Sequence, residues 1–588
     1  MRDLQRFSSC HIAPDRRRGH FSGHVRARTR CTILGTGVVT EMRGVRSGPV
    51  VGNRCKLVGR HCLPCFTRST LRLLYFVSFA FFCGHLLTVR IAAGAESPAT
   101  APAKPNIVII YSDDVGWGDL GCYGATKVST PQIDRLASQG VRFTDAHTTA
   151  ATCTPSRFSI LTGQFPFRNK AAQILPGDAP LLIAPGSPTL PQLLKDHGYV
   201  TACIGKWHLG LGDGKIDWNT EVKPGPMEVG FDESFIVPAT PDRVPCVYLQ
   251  GHEVVRLDSA DPLRVSYTGP IGDEPTGRGH PELLRYGADA QHLGTIVDRI
   301  SRIGWMAGGH SAWWTDEQMA MCLTEHAEDF LARNAKHPFF LYFAINDIHV
   351  PRVPNPDFVA KSQCGLRGDQ IEELDWTVGQ ILSKLAELHL TDNTLVLFSS
   401  DNGPILNDGY SDGSIKDANG HKPAGPFRGG KYQIYEGGTR VPLLTYWPGH
   451  VKPGVSSALT CQVDFLASLA DLAGITLPAD AGPDSLDLLA TLLNPDAIGR
   501  AQLVEQAEKD LAIRKGNWKL IPGGSRKPLQ RLEEGDTNSG PMLSPAVQLY
   551  DLSNDPSEAH NVAALHPDLV DELTRLIHDQ IGRSRTRQ

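Results

Sequence analysis

The chain is poor in cysteine: it has 13 among 588 residues, and six of them lie before residue 84. The seven that follow are widely spaced and odd in number, which excludes the disulfide framework of a small secreted domain. Cys62 and Cys65 have no second pair at the spacing of a zinc ribbon or finger, so no zinc site is expected there. Cys153 is set apart below. The other six are expected to be packed thiols of the core or loops: Cys122, Cys203, Cys246, Cys322, Cys364 and Cys461.

An overall excess of positive charge is also absent. The 58 Lys and Arg residues face 63 Asp and Glu residues, for a net charge of −5. The first 70 residues contain thirteen Arg and one Lys against two Asp and one Glu, so they sum to +11 and the rest of the chain to −16. A basic body that binds nucleic acid is therefore excluded. An anionic substrate would have to be held by a local group of cations.

Long apolar runs are scarce, and the notable one lies near the start. The run at residues 73–89 follows an arginine and precedes the small residues Ala93-Gly94-Ala95, which is the pattern of a secretory signal. We predict export to the periplasm or the extracellular space, with cleavage near Ala95. An uncleaved run would instead anchor the chain in a membrane. Residues 1–70 are interpreted as an extension from a wrongly assigned start, and residues 1–95 as a leader.

The body alternates between two patterns. Apolar runs of β type lie at 106–114, 199–208, 338–351 and 393–403, and segments with apolar residues three and four apart lie at 130–140, 189–198 and 370–389. This alternation predicts an α/β domain with a mostly parallel central sheet flanked by helices. Ligands of such sheets bind beyond the carboxyl ends of the strands. The polar residues that end the four runs are therefore expected to converge.

The pattern changes after about residue 500. Segments 511–521 and 547–558 indicate antiparallel strands with turns, and 567–581 indicates an amphipathic helix. We predict a large α/β domain over residues 96–500 and a small C-terminal α+β subdomain with an antiparallel sheet over residues 501–588.

Two strand ends supply oxygen ligands. Asp113 and Asp114 end the first apolar run, and Asp401 and Asn402 end the last. These residues supply three carboxylates and one amide oxygen, and neither pair contains a His or Cys. Such an all-oxygen ligand set suits Ca²⁺, and it suits Mg²⁺ less well. Each pair alone could be an Asx turn. Their position at the tips of two predicted parallel strands favours a metal site.

Basic residues complement this acidic set. Lys206 and His208, two apart on an extended segment, can face one site. His349 ends the third run, Arg157 follows Cys153 by four residues, and Lys431 follows two glycines that would let the backbone approach a ligand. Each of these has an ordinary alternative as a surface charge or a loop histidine. Together with a hard cation they form a pocket for a tetrahedral oxyanion, and phosphate and sulfate fit it equally well.

Cys153 separates these possibilities. A thiolate is a poor ligand for Ca²⁺ or Mg²⁺, so the cysteine would have to become an oxygen nucleophile. The segment CTPSR at 153–157, followed by LTG at 161–163, resembles the signature of the type I sulfatases, which share the alkaline phosphatase fold. The motifs NIVIIYSDDVGWGDLGCYG, GKWHLG, SSDNG and EGGTRVP occur in that family's order between residues 104 and 588.

The resemblance implies that a formylglycine-generating enzyme converts Cys153 to Cα-formylglycine, whose hydrate attacks sulfur beside Ca²⁺. The implied calcium ligands are Asp113, Asp114, Asp401, Asn402 and residue 153. The implied roles are a proton acceptor for the attacking hydroxyl (Asp401), orientation of the hydrate (Arg157), sulfate binding (Lys206 and Lys431), an acid for the leaving alcohol (His349) and a base that expels sulfate (His208). Exchange of the two histidine roles stays open.

Residues 217–315 are rich in Gly, Pro, Arg and Asp, which indicates an insertion over the site that would select the leaving group. A sulfated glycan is favoured as substrate over an aryl sulfate, and degradation of sulfated polysaccharides would follow. Six side chains of this segment could contact a sugar or merely pack the loops: His252, Arg256, Arg278, His310, Trp313 and Trp314.

The sequence therefore predicts an exported sulfuric ester hydrolase that releases inorganic sulfate. One alternative is a phosphatase, phosphodiesterase or phosphonate hydrolase of the same superfold, since these share the metal and cation cluster. Another is a non-catalytic sulfoglycan-binding protein in which Cys153 stays unmodified.

Overall fold

The computed structural model describes residues 104–523 and 546–587. The predicted leader at 1–95, with its signal and cleavage site, lies outside the described residues. Within the two described ranges, no helix is both long and apolar enough to cross a membrane.

Ten strands form the central sheet. In chain order they are β1 Asn106–Ser112, β2 Val141–Phe143, β3 Val200–Lys206, β4 Glu233–Val237, β5 Leu249–Gln250, β6 Glu253–Val254, β7 Phe339–Ala344, β8 Thr394–Ser400, β9 Leu443–Tyr446 and β10 Gly454–Ser456. Their spatial order is β10-β2-β9-β8-β1-β7-β3-β4-β5-β6. The five strands from β8 to β4 are parallel, and the antiparallel pairs lie toward the two edges. The predicted mostly parallel sheet is confirmed.

Helices cover this sheet. They are α1 Pro131–Gln139, α2 Cys153–Thr162, α3 Leu190–Asp196, α4 Met319–Arg333, α5 Gly365–Glu387, α6 Glu436–Thr439, α7 Phe465–Leu472 and α8 Leu489–Leu493. Every residue of β1 and β7 is buried, as expected for strands with both faces covered. Helix α5 packs against α1 and α4, whereas α2, α3 and α7 pack against one another. The helices predicted at 130–140, 189–198 and 370–389 are confirmed.

The C-terminal part forms a separate antiparallel sheet. Its strands, in spatial order, are β11 Gln502–Ala507, β12 Asp510–Lys515, β13 Trp518–Ile521 and β14 Gln548–Asp551. Helix α9, Pro567–Gly582, packs on β12 and β13 through the buried side chains of Leu573 and Ile577. Three short strand pairs complete the described structure: Ala146–His147 with Thr460–Cys461, Arg264–Ser266 with Trp305–Ala307, and Ile296–Val297 with Ile300–Ser301.

A buried ionic network joins this small sheet to the large domain. His147 lies 2.7 Å from Glu505 on β11 and 2.8 Å from Asp145, one carboxylate at each ring nitrogen. Two carboxylates next to one ring favour its positively charged form, in which both nitrogens are protonated. Burial lowers the pKa of His147, but Glu505 and Asp145 outweigh it and raise the pKa above its usual value. Arg514 on β12 adds a bridge by pairing with Asp145 and Glu436.

Replacing His147 with glutamine is expected to lower the free energy of unfolding by about 2 kcal/mol, because it removes one positive charge from a buried group in which Asp145 keeps Arg514 and Glu505 keeps Lys519. A histidine whose folded pKa is raised contributes fully below its unfolded pKa of about 6.5, and this stability is lost as pH rises through the folded pKa. The difference in melting temperature between wild type and H147Q should therefore be largest at neutral or lower pH and shrink at alkaline pH. A constant difference would contradict the charged state of His147.

Candidate active site

The reactive cysteine lies at a helix start. Helix α2 begins at Cys153, and Pro155 lies in its first turn. A proline in the first turn of a helix is tolerated because its missing N–H would have no partner there. Cys153 is 3% exposed, and its Sγ lies 3.7 Å from Oδ1 of Asp113. Burial raises the pKa of the thiol, so unmodified Cys153 is a weak nucleophile.

The four oxygen ligands predicted from the sequence lie side by side. Asp113 and Asp114 follow β1, and Asp401 and Asn402 follow β8, a neighbouring parallel strand in which Ser400 pairs with Ser112. One oxygen from each of the three carboxylates and Sγ of Cys153 lie within 4.8 Å of one another, and all four residues are buried. Parallel pairing thus brings together residues almost 290 positions apart.

This donor set fits a divalent cation. Nδ2 of Asn402 donates to Oδ1 of Asp114 at 2.7 Å, whereas Oδ1 of Asn402 is buried and has no hydrogen-bond partner within the described part of the chain. Burial and the nearby Asp401 raise the pKa of Asp113 to about 8. A buried acceptor without a donor and a carboxyl that resists ionisation both indicate missing positive charge. Hard oxygen donors of this type suit calcium or magnesium.

Each predicted cation pairs with one of these carboxylates. Nζ of Lys206 lies 2.5 Å from Oδ2 of Asp113. Nζ of Lys431 lies 2.9 Å from Oδ2 of Asp114, and Nε of Arg157 lies 2.9 Å from Oδ2 of Asp401. Three positive charges therefore oppose these three carboxylates and a fourth, Asp408, which lies 2.9 Å from Nζ of Lys431. A divalent cation would leave the centre positive, which favours an anionic substrate.

Two histidines face this centre. Nε2 of His208 lies 2.9 Å from the carbonyl oxygen of Leu175, and its Nδ1 is buried without a partner in the described residues. Nδ1 of His349 lies 2.6 Å from the carbonyl oxygen of Val350, and its Nε2 lies 4.0 Å from Asp114. Since a carbonyl requires a donor, His208 offers a lone pair at Nδ1 and His349 offers Nε2. Burial and the nearby lysines lower the pKa of both rings.

Two local expectations were wrong. His208 has a φ of +51°, so the chain turns after β3, and Lys206 and His208 do not meet by the alternation of an extended strand. The second expectation concerned Gly430, which lets two segments of the protein's own backbone approach each other closely rather than a ligand. A Cβ at Gly430 would lie 2.2 Å from the carbonyl oxygen of Pro404, and the Lys431 amide donates to that same oxygen.

A pocket above Cys153 is lined by His208, His349 and Lys431, as the sequence predicted. It is also lined by five titratable side chains that sequence reasoning missed: Asp242, Arg243, His292, Asp408 and Tyr432. None of these ends a strand or belongs to a quoted motif. Three come from the predicted insertion at 217–315, which was correctly assigned to the rim.

None of the six side chains named from that insertion lines this pocket. His252 pairs with Glu228, and His310 pairs with Asp261. The indole N–H of Trp313 donates to Gly308. These three contacts lie within the insertion itself, as loop packing predicts.

Comparisons with known proteins agree with this geometry. A family model described as Sulfatase matches residues 105–475. The N-acetylgalactosamine-6-O-sulfatase of Bacteroides thetaiotaomicron is 49% identical over 479 residues, which is 81% of this chain and 92% of that protein. Human N-acetylgalactosamine-6-sulfatase is 34% identical over 71% of this chain and 72% of its own length.

Solved structures give the same result. A 6S-sulfatase from the locus with which Bacteroides thetaiotaomicron metabolises multiple glycosaminoglycans superposes with a TM-score of 0.79 at 49% identity, covering 82% of this chain and 100% of that one. A Pseudoalteromonas sulfatase has a TM-score of 0.60 at 23% identity over 82% of this chain and 90% of that one. The second likeness concerns the fold alone.

Proposed function

Because the chain belongs to the sulfatase family, it is a sulfuric ester hydrolase, and we propose that it removes the 6-O-sulfate of N-acetylgalactosamine in sulfated glycans. The observation that supports this most is the convergence of Cys153 with three carboxylates, an unpaired amide oxygen and three cations. The choice of sugar follows from the N-acetylgalactosamine 6-sulfatases among its relatives.

The proposal includes conversion of Cys153 to formylglycine, because a buried thiol of raised pKa is a weak nucleophile. Asp113, Asp114, Asp401, Asn402 and residue 153 would hold Ca²⁺. Such an ion, when bound, acidifies a hydroxyl and polarises the sulfate ester.

The chain's own side chains divide the remaining work. Lys206 and Lys431 bind sulfate oxygens and stabilise the charge that develops on them. Arg157, which is held by its ion pair with Asp401, would orient residue 153. Asp401 would also accept the proton from the hydroxyl of residue 153. Nε2 of His349 carries a lone pair in the described structure; it would take up a proton when the anionic sulfate ester binds beside it and pass that proton to the leaving alcohol. The lone pair at Nδ1 of His208 would remove the proton that frees sulfate.

The proposed setting is outside the cytoplasm. The apolar run at 73–89 and the small residues before Glu96 support export with cleavage near Ala95. A sulfated glycan is a substrate that an exported enzyme would meet. The formylglycine-generating enzyme is the partner that maturation requires.

The direct test measures sulfate and phosphate release together. The protein, coexpressed with a formylglycine-generating enzyme, is incubated with N-acetylgalactosamine 6-sulfate and with the matching 6-phosphate. We expect sulfate release with little phosphate release, and a loss of ~18 Da in the tryptic peptide that contains residue 153, the difference between a thiol and an aldehyde. Faster phosphate release would favour the phosphatase alternative. An unmodified thiol without hydrolysis would favour the binding protein.

Metal binding is tested on Asn402. Removing its unpaired Oδ1 with N402A is expected to weaken calcium binding at least roughly 10-fold. The measurement is the rise in melting temperature with calcium after chelation, since a ligand that binds only the folded state stabilises it. N407A is the matched control, because Asn407 is exposed on the same loop. An equal calcium response in wild type and N402A would contradict the ligand set.

A further inference from the structure

Two carboxylates hold the side chain of Lys431 at the active-site pocket. Its Nζ lies 2.9 Å from Oδ2 of Asp114 and 2.9 Å from Oδ2 of Asp408. An ammonium group has three N–H donors, so these two contacts leave one donor. Lys431 and Asp408 both line the pocket above Cys153. The remaining donor is available to an anion in that pocket, and the two carboxylates determine its direction.

A carboxylate at position 408 is unexpected in a pocket that takes an anion. It is buried beside the pocket, where its charge repels a sulfate group. Asp114 is a proposed calcium ligand and also accepts a hydrogen bond from Asn402, so its charge is shared among several partners. Asp408 lies outside the proposed ligand set. Its charge is therefore explained by the cation that it holds, Lys431.

The structure fixes Asp408 from two sides. The hydroxyl of Tyr432 lies 3.2 Å from each oxygen of Asp408 and can donate to either. Tyr432 has a φ of +72°, which is rare for a bulky side chain, and its amide donates to the carbonyl oxygen of Ala151 at 2.7 Å. On the other side, the buried guanidinium of Arg352 donates to the carbonyl oxygens of residues 405 and 406. The loop that carries Asp408 is thereby held in place.

We propose that Asp408 is a positioning residue that directs Lys431 at the sulfate, with Tyr432 holding Asp408 in place. This inference rests on the sulfate-binding role of Lys431 in the proposed function and adds the residues that make this role effective. Donors that are fixed in advance stabilise developing charge well, because they need no reorganisation during the reaction. Without the charge of Asp408, Lys431 would be held by Asp114 alone.

The experiment measures kcat and KM of wild type, D408N and Y432F on N-acetylgalactosamine 6-sulfate and on 4-nitrophenyl sulfate. D408N should lose roughly 10- to 100-fold in kcat/KM on both substrates, the scale of a hydrogen bond to a charged group. The loss should lie in kcat, because removal of a charge that repels sulfate opposes a rise in KM. Y432F should show the same pattern in weaker form. D417N is the matched control and should equal wild type, because Asp417 is exposed on the same segment and does not line the pocket.

Two further measurements assign the effect to Lys431. In a double-mutant cycle on 4-nitrophenyl sulfate, D408N should cause no further loss in a K431M background, because a residue that acts through Lys431 has no effect once that lysine is removed. Crystal structures of wild type and D408N give a second measurement that does not depend on turnover. Nζ of Lys431 should be displaced in the variant.

Three results would overturn this role. A loss confined to the sugar sulfate would mean that Asp408 contacts the sugar or assists His349, whose ring nitrogen lies within 4.8 Å of a carboxylate oxygen of Asp408. An equal loss caused by D408N with and without Lys431 would show that the effect bypasses the lysine. An unchanged position of Nζ in D408N would show that Asp114 alone suffices.

Failure of the proposed function can be told apart from failure of this inference. If wild type cleaved 4-nitrophenyl sulfate but not the sugar sulfate, the proposed sugar would be wrong, and the comparison of D408N with wild type on 4-nitrophenyl sulfate would still decide the role of Asp408. If wild type cleaved neither substrate, the position of Nζ in the two crystal structures would decide it.

Discussion

Alanine at position 153 is expected to reduce kcat/KM for N-acetylgalactosamine 6-sulfate about 10⁶-fold, the scale reached when a covalent nucleophile is removed from an enzyme. The carboxylates and cations around residue 153 pair with one another, and its side chain adds only a contact of 3.7 Å between Sγ and Oδ1 of Asp113. C153A should therefore fold and still bind the substrate. The loss would then lie in kcat, with binding of the sulfated sugar retained by calorimetry.

C122A is the matched control for this substitution. Cys122 is partly buried, and burial together with Asp134 raises its pKa, so it is no candidate nucleophile and its loss should leave kcat unchanged. Activity of C153A above one hundredth of wild type would assign the nucleophile elsewhere. A large drop in its melting temperature would show that the thiol supports the fold.

The strand-end residues could be predicted because two simple rules apply to them. A buried parallel strand is a continuous apolar run, and the carboxyl ends of such strands meet at one edge of the sheet. Asp113, Asp401 and Lys206 each come at or directly after such a run, on β1, β8 and β3. Their convergence therefore follows from the fold class alone, without knowledge of the connecting segments.

The pocket wall could not be predicted in this way. Asp242, His292 and Asp408 lie in loops, where no periodicity fixes direction and where polar residues are common. These residues are distinguished by contacts that only the folded chain makes. His292 lies between two carboxylates, and Oδ2 of Asp408 lies 2.9 Å from Nζ of Lys431. The sequence located the insertion that supplies two of them, but which side chains face inward depends on the way the loops pack.

Variants of the two histidines are expected to respond differently when the leaving group of the substrate is changed. H349Q should lose about 10²- to 10⁴-fold in kcat/KM on the sugar sulfate, the usual contribution of a general acid. A sugar alkoxide leaves poorly without a proton, whereas 4-nitrophenolate leaves readily. The loss on 4-nitrophenyl sulfate should therefore be much smaller for H349Q. H208Q should instead lose a similar factor in kcat on both substrates, with kcat/KM little changed, because expulsion of sulfate from the enzyme occurs after the alcohol has left.

The comparison of the two variants depends on the hydrogen bonds that fix each ring. The carbonyl oxygen of Val350 accepts a hydrogen bond from Nδ1 of His349, and that of Leu175 accepts one from Nε2 of His208. Each histidine therefore has one ring nitrogen left for proton transfer. Glutamine keeps a polar group in the place of each ring. If H208Q instead showed the leaving-group dependence, the acid and base assignments would be exchanged. If neither variant depended on the leaving group, the proton for the alcohol would have to come from another residue of the pocket. Lys431 would then be the next candidate, since it lines the same pocket and Asp114 and Asp408 hold it charged there by outweighing its burial.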